Sequence, residues 1–148
     1  MRGATSEKQL WMLDTNIISA LMRQPGGEVA RRMVHTLSKI KDAQICTSLI
    51  VDCELRFGLQ KNPNSRYTHA YEVAIASIAI MAMDTAVVQH YATIRAHLEK
   101  AGTPIGPNDT LIAAHALALD CTLVTDNETE FRRVPGLRVE NWLAGIAV

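Results

Sequence analysis

Gln9-Leu10-Trp11-Met12-Leu13-Asp14-Thr15-Asn16-Ile17 is a short apolar run that stops at a carboxylate and passes into residues suited to starting a helix. It is too short for a helix of ordinary length, and the bounding Asp-Thr-Asn marks a turn. It therefore reads as a buried strand, Gln9–Leu13, feeding a helix over Ile17–Arg23. The pattern recurs late in the chain, where Thr122–Thr125 is a strand candidate followed by Asp126 and Asn127. Two more carboxylates stand at or near strand–helix junctions, Glu54 in Cys53-Glu54-Leu55-Arg56 and Asp109 in Gly106-Pro107-Asn108-Asp109.

Between these signals, strands alternate with helices. Pro25-Gly26-Gly27 ends the first helix, and Glu28–Lys39 resumes helical spacing with Val29, Met33 and Leu37 on one face. Gln44–Thr47 is a second strand, and Ser48 is placed to cap a helix over Leu49–Gln60. A helix over Arg66–Ala76, a strand over Ile78–Met83 and a helix over Thr85–Lys100 follow, the last closed by Gly102 as the residue after the cap. Asn108 or Asp109 is the expected cap of Thr110–Leu119, a helix apolar nearly all round and so expected to be buried. Leu137–Val139 supplies a fifth strand. This alternation implies right-handed crossovers and a parallel sheet covered on both faces. The fold expected is a single-domain, three-layer α/β/α sandwich over residues 9–143, with 1–8 a polar lead-in or an added remnant.

Composition narrows the function classes. At 148 residues, with 48% hydrophobic, the chain has the size and apolar content of one folded domain. Fifteen basic and fifteen acidic residues cancel, so no global field points to nucleic acid, although a basic rim around an acidic site would give the same sum. Cys46, Cys53 and Cys121 form no C-x-x-C pair and read as buried small hydrophobes in a reducing cytosol. Met1–Lys8 lacks an apolar signal core, and the apolar run near Ala74–Met83 is too short to span a bilayer. A cytoplasmic protein with no membrane contact is expected.

Singly, each acid has an ordinary explanation. Asp14 could be a helix cap, Glu54 a solvated helix face, Asp109 a cap, and Asp126 part of an acidic turn with Glu128 and Glu130. Yet Ile50, Cys53 and Phe57 put Glu54 beside an apolar seam, where a carboxylate needs a partner. In an open parallel sheet the strand–helix junctions gather outside the carboxyl ends of the strands, where such folds bind ligands. Carboxylates gathered there repel one another unless a cation lies between them. A divalent ion such as Mg²⁺ takes six oxygens and suits phosphoryl chemistry; in two-metal sites the ions lie roughly 3.5–4 Å apart. The helix N-terminus is expected to hold Asp109 ionised and lower its pKa. No Gly-x-Ser-x-Gly elbow, Walker A loop or Gly-x-Gly-x-x-Gly competes. A phosphatase with an aspartyl nucleophile at Asp14 would want a second Asp where Asn16 stands.

Taken in order, Leu-Asp-Thr-Asn-Ile at 13–17, Glu-Leu-Arg-Phe-Gly at 54–58, Ile-Gly-Pro-Asn-Asp at 105–109, Leu-Val-Thr-Asp-Asn at 123–127 and the stretch at 130–142 resemble the PIN-domain ribonucleases, and among them the VapC toxins. The resemblance implies an endoribonuclease dependent on Mg²⁺ or Mn²⁺, inhibited by a VapB-type antitoxin and acting on RNA. Initiator transfer RNA is a possible substrate. By position it makes Asp14, Glu54 and Asp109 metal ligands and catalytic residues. For the fourth acid, Asp126 at a rigid strand end is preferred over Glu130, which is given a supporting role together with Thr15, Asn16, Thr125 and Asn127. Arg23, Arg56, Arg132 and Arg133 are candidate phosphate contacts. Apolar helix surface over Leu49–Leu59 and Tyr67–Ala76 points to a homodimer. The stretch Val51-Asp52-Cys53 departs from the family pattern, which favours smaller or less charged residues there. A catalytically silent domain serving as an RNA-binding or assembly module is the alternative.

Overall fold

The computed structural model describes residues 9–143, so the expected lead-in at 1–8 lies outside the described residues. Five parallel strands form one sheet: β1 (Gln9–Leu13), β2 (Ala43–Ser48), β3 (Ala79–Met81), β4 (Thr122–Val124) and β5 (Arg138–Glu140), in the order β3-β2-β1-β4-β5. The chain builds outward from β1 to β2 and β3, then returns to the other side of β1 for β4 and β5. The order therefore reverses at the β1/β4 pair, and that switch point is where an open α/β sheet leaves a crevice.

The helices are α1 (Thr15–Arg23), α2 (Glu28–Lys39), α3 (Leu49–Lys61), α4 (Ser65–Ile75), α5 (Ala86–Lys100), α6 (Pro107–Ala118) and α7 (Glu128–Phe131). With the sheet they make the three-layer sandwich expected from the alternation. α1 packs on α2, α3 and α4, while α5 pairs with α6. Met12, Leu13, Ile17, Ile18, Val51, Ile112, Leu123, Val124 and Phe131 are fully buried at the centre. β1 is buried because it is the middle strand, with sheet neighbours on both edges and helices on both faces. Gly102, at φ 73°, ends α5: its N–H bonds Glu99 O and the Thr103 N–H bonds Leu98 O, the paired closure that a left-handed residue permits.

Several expectations are corrected in detail. Leu37 is half exposed, and Thr36 takes the buried position on α2, because the buried stripe drifts by one residue along the helix. Cys46 and Cys121 are buried but Cys53 is exposed. α6 begins at Pro107 with Gly106 as its cap residue, so neither Asn108 nor Asp109 caps it; proline's fixed φ starts the helix one turn earlier. α7 was not foreseen, being a single turn without its own apolar period. Asp52, at the stretch that departs from the family pattern, is buried. It accepts hydrogen bonds from the Tyr71 hydroxyl and, at 3.2 Å, from Arg56 Nε, tying α3 to α4.

Ser48 caps α3 as expected, its hydroxyl oxygen accepting from Ile50 N–H at 3.1 Å. The same hydroxyl lies 2.8 Å from Nδ1 of buried His115, whose Nε2 faces Ala82 O at 3.2 Å. A carbonyl only accepts, so Nε2 carries the proton and Ser48 donates to Nδ1. Burial lowers the His115 pKa and keeps the ring neutral. Ser48→Ala removes both bonds. We expect a loss of about 2 kcal/mol, about half from the cap and half from the unpaired imidazole nitrogen, measured as a lowered urea midpoint with unchanged slope.

Candidate active site

The reversal of strand order sets Asp14, at the end of β1, beside Thr125, at the end of β4. Asp14 N–H donates to Val124 O at 2.9 Å, and the Asp14 carbonyl accepts the first helical bonds of α1 from Ile17 and Ile18. Its backbone is thereby fixed from both sides. Its side chain is almost fully buried and doubly held, by Thr15 N–H at 2.9 Å and by the Thr125 hydroxyl at 2.8 Å. Thr15 also donates its hydroxyl to Glu54 Oε1 at 2.8 Å, bringing α3 to the same spot. The half-buried Glu54 thus has a partner, but the seam expected from Ile50, Cys53 and Phe57 is not buried: Cys53 and Phe57 are exposed, and Val51 and Leu55 form the apolar part of the buried face of α3.

From Thr125 the network continues. The Thr125 hydroxyl oxygen accepts from Asn127 N–H at 3.0 Å, and Asn127 Nδ2 donates to Glu130 Oε2 at 2.8 Å. Glu130 is thus aimed by α7 towards Asp109, which lies in the first turn of α6. Burial pushes the Asp109 carboxyl up to about 6, helped by the charges of Asp14, Glu130 and Glu54 and by a hydrogen bond shared with Glu130. This reverses the expected lowering: desolvation and three neighbouring acids outweigh the partial charge of a helix terminus. Asp14 is raised too, first by burial and last by Glu54, with its Thr125 and Thr15 bonds pulling the other way.

Asp126 is placed differently. Thr125 is fully buried, whereas Asp126 lies in the bend beyond β4, where the chain leaves the sheet, and is exposed. Its N–H donates to Asn16 Oδ1 at 3.0 Å, and its carboxylate accepts from Asn141 Nδ2 at 3.0 Å. It is absent from the charges acting on Asp109. The structure therefore gathers Asp14, Glu54, Asp109 and Glu130, served by Thr15, Thr125 and Asn127. Asn16 and Asp126 form a separate clasp between the β1 and β4 loops. Thr47, which was not foreseen, donates to Leu13 O at 2.6 Å and braces the strand end below Asp14.

Among the candidate phosphate contacts, Arg56 is engaged by Asp52 and lies 5.2 Å from the Tyr71 ring centroid. Arg132 pairs with Glu128 at 2.9 Å, and Arg133 donates to Pro104 O at 3.4 Å. Arg23 is exposed in the last turn of α1.

None of the five ion pairs among the described residues involves Asp14, Glu54, Asp109 or Glu130. An all-oxygen, negatively charged and uncompensated donor set fits a hard divalent cation. In this structure the carboxylates are turned onto hydroxyl and amide donors, and among the described residues no three acid, His or Cys side chains converge tightly enough to enclose an ion.

A parallel α/β/α sandwich with acids brought together at its switch point is an architecture that many unrelated activities share. Comparison with known proteins makes this specific. The PIN-domain family profile matches residues 11–137. The tRNA(fMet)-specific endonuclease VapC of Salmonella typhimurium is 33% identical over 133 residues, covering 89% of this chain and 97% of that protein. Ribonuclease VapC2 of Rickettsia felis is 35% identical over 136 residues, covering 90% and 98%. The crystal structure of VapBC2 from Rickettsia felis bound to a DNA fragment from their promoter superposes with a TM-score of 0.83 at 31% identity, covering 90% of this chain and 99% of that one. The chain belongs to the PIN-domain family, in its VapC branch.

Asp109 titrates near 6 when folded, against an ordinary value of 3.8. The folded state holds this proton more tightly than the unfolded chain. Its contribution to stability is therefore present at low pH and lost as pH rises from about 4 through 6. Asp109→Asn removes the penalty. Its melting temperature should exceed the parent's by a few degrees at pH 7.5, and the gap should narrow at pH 5. Differential scanning fluorimetry at the two pH values checks this.

Proposed function

We propose that the chain is the toxin of a toxin–antitoxin pair, a divalent-metal-dependent endoribonuclease whose PIN domain spans residues 9–143 and which acts in the cytoplasm. The observation that carries the reading is the convergence of Asp14, Glu54, Asp109 and Glu130 without a compensating cation side chain, in a chain similar along most of its length to ribonucleases. Mg²⁺ or Mn²⁺ would be held by Asp14 and Asp109, with Glu54 and Glu130 completing the set. When bound, such an ion polarises the scissile phosphate and lowers the pKa of water.

The protein's own residues supply the positions. Asp14 is fixed by its backbone bonds and the Thr125 hydroxyl. Glu54 is held by Thr15 and Glu130 by Asn127. Asp109 is set in the first turn of α6, and a bound cation would favour its ionised form. In place of Asp126 we assign Glu130 as the fourth acid, because it shares Asp109's environment while Asp126 is exposed and bonded to Asn141.

Two partners follow from the same reading. A VapB-type antitoxin is supported by the likeness to VapBC structures from Rickettsia felis and Salmonella typhimurium. A basic group from it would be attracted to the acid cluster by charge alone. A homodimer is supported by the exposed apolar side chains Leu49, Phe57 and Val73 on α3 and α4. The RNA substrate is a transfer RNA by analogy with the Salmonella relative's name. Among the described residues no helix is long and apolar enough to cross a membrane.

The purified chain should cut RNA in Mg²⁺ or Mn²⁺ and be silent in chelator, with new ends mapped by sequencing. Asp14→Asn, Glu54→Gln and Asp109→Asn should each abolish cleavage while the fold persists. Glu130→Gln should lower the rate by about a hundredfold or more, the range for a misplaced catalytic group, and Asp126→Asn by only a few fold. A dead Asp126→Asn beside an active Glu130→Gln would reverse the assignment of the fourth acid.

A further inference from the structure

A groove of about 380 Å³ opens directly beside the acid cluster, and Thr15 and Glu54 belong to both. It runs between α1 and α3 and ends against Tyr67 on α4. Met22 and Leu59 give it apolar walls, and Ser19 and Asn62 put polar groups at its edge. No lysine or arginine lines it, so it is not built for a phosphate.

Two observations indicate that it takes a ligand. The first is Gly58, which forms part of the groove wall. It sits inside α3, where glycine weakens a helix, and a Cβ built on it meets nothing within 4 Å. Neither close packing within the chain nor a positive φ asks for glycine there; what its missing side chain does is keep the groove open. The second is that the side-chain polar atoms of Ser19, Asn62 and Tyr67 bond to no other group of the described chain, and the Tyr67 ring is 55% exposed. Apolar faces, an exposed aromatic ring and unused polar groups at the edge suit a flat, neutral, hydrogen-bonding group.

Resting on the ribonuclease reading, we propose that this groove is a nucleobase subsite, holding the base next to the scissile phosphate. Tyr67 stacks on the base, and Ser19 and Asn62 read its edge. Single-stranded RNA presents its bases in this way, splayed out and stacked on aromatic side chains. Since the groove shares Glu54 with the acid cluster, a base held there sets which phosphodiester reaches the carboxylates. This makes Tyr67 and Gly58 determinants of specificity and leaves the chemistry to the acids.

The test is single-turnover cleavage, in Mn²⁺, of an unstructured RNA oligomer randomised at three central positions, with the ends sequenced. The parent chain should show a base preference at one position beside the cut. Tyr67→Phe should keep it. Tyr67→Ala should flatten it about tenfold, equivalent to about 1.4 kcal/mol. Gly58→Leu should flatten it likewise while melting no lower than the parent, which separates a filled groove from a damaged fold. If both Tyr67→Ala and Gly58→Leu cut with the parent's preference, the subsite is wrong and the ribonuclease reading stands. If these variants keep the preference but no longer hold a co-expressed small protein, the groove is a protein dock and the proposal is overturned. If the parent leaves no metal-dependent ends at all, the ribonuclease reading has failed and the subsite falls with it.

Discussion

Like charges held together in a half-dry crevice are the constraint on which this molecule turns. Asp14, Glu54, Asp109 and Glu130 come from the end of β1 and from α3, α6 and α7, and burial pushes the pKa of Asp14 and Asp109 up. The chain offers them hydroxyls and amides in place of cations. Thr125 and Thr15 stabilise the charge on Asp14, Thr15 bonds Glu54, and Asn127 bonds Glu130. These neutral donors fix direction without neutralising. Burial, and after it the remaining repulsion, appear together in the raised pKa of Asp109. Under the proposed function, that uncompensated charge is what a divalent ion would neutralise.

The rest of the fold serves that placement. Parallel strands put the ends of β1 and β4 side by side, and the reversed strand order keeps a crevice open there. The bond from Asp14 N–H to Val124 O, together with the Thr47 brace on Leu13, fixes the strand end to which Asp14 belongs. Ser48 plays a parallel part for Glu54. It starts α3 and locks the helix through buried His115 to α6, the helix that carries Asp109. Two of the acids are therefore positioned by elements that share one buried polar contact.

Much of this was legible in the sequence, for identifiable reasons. Apolar runs ending in Asp14 and Asp126 announced strands, Ser48 and Gly102 announced helix ends, and strict alternation of elements announced the sandwich. What escaped was direction. Asp126 was favoured because it follows a rigid strand, yet it lies in the bend beyond β4, exposed and bonded to Asn141. The burial of Thr125, the signal that decides the matter, is not visible in a three-residue strand. The approach of Glu130 to Asp109 was not foreseen because α7 is one turn long and carries no apolar period. The Asp109 shift was read from its helix terminus alone, whereas its sign is set first by burial and then by the charges of Asp14, Glu130 and Glu54, none of them close to it in sequence. Local chemistry set the elements; long-range proximity set the charges.

The most direct test of the account is anomalous diffraction from a crystal soaked in Mn²⁺. The account predicts a manganese peak at the β1/β4 edge, bounded by carboxylate oxygens of Asp14 and Asp109 with Glu54 or Glu130 beside them, while Asp126 keeps its bond to Asn141. A peak ligated by Asp126 with Glu130 turned away, or no peak at that edge under conditions where the chain cleaves RNA, would contradict it.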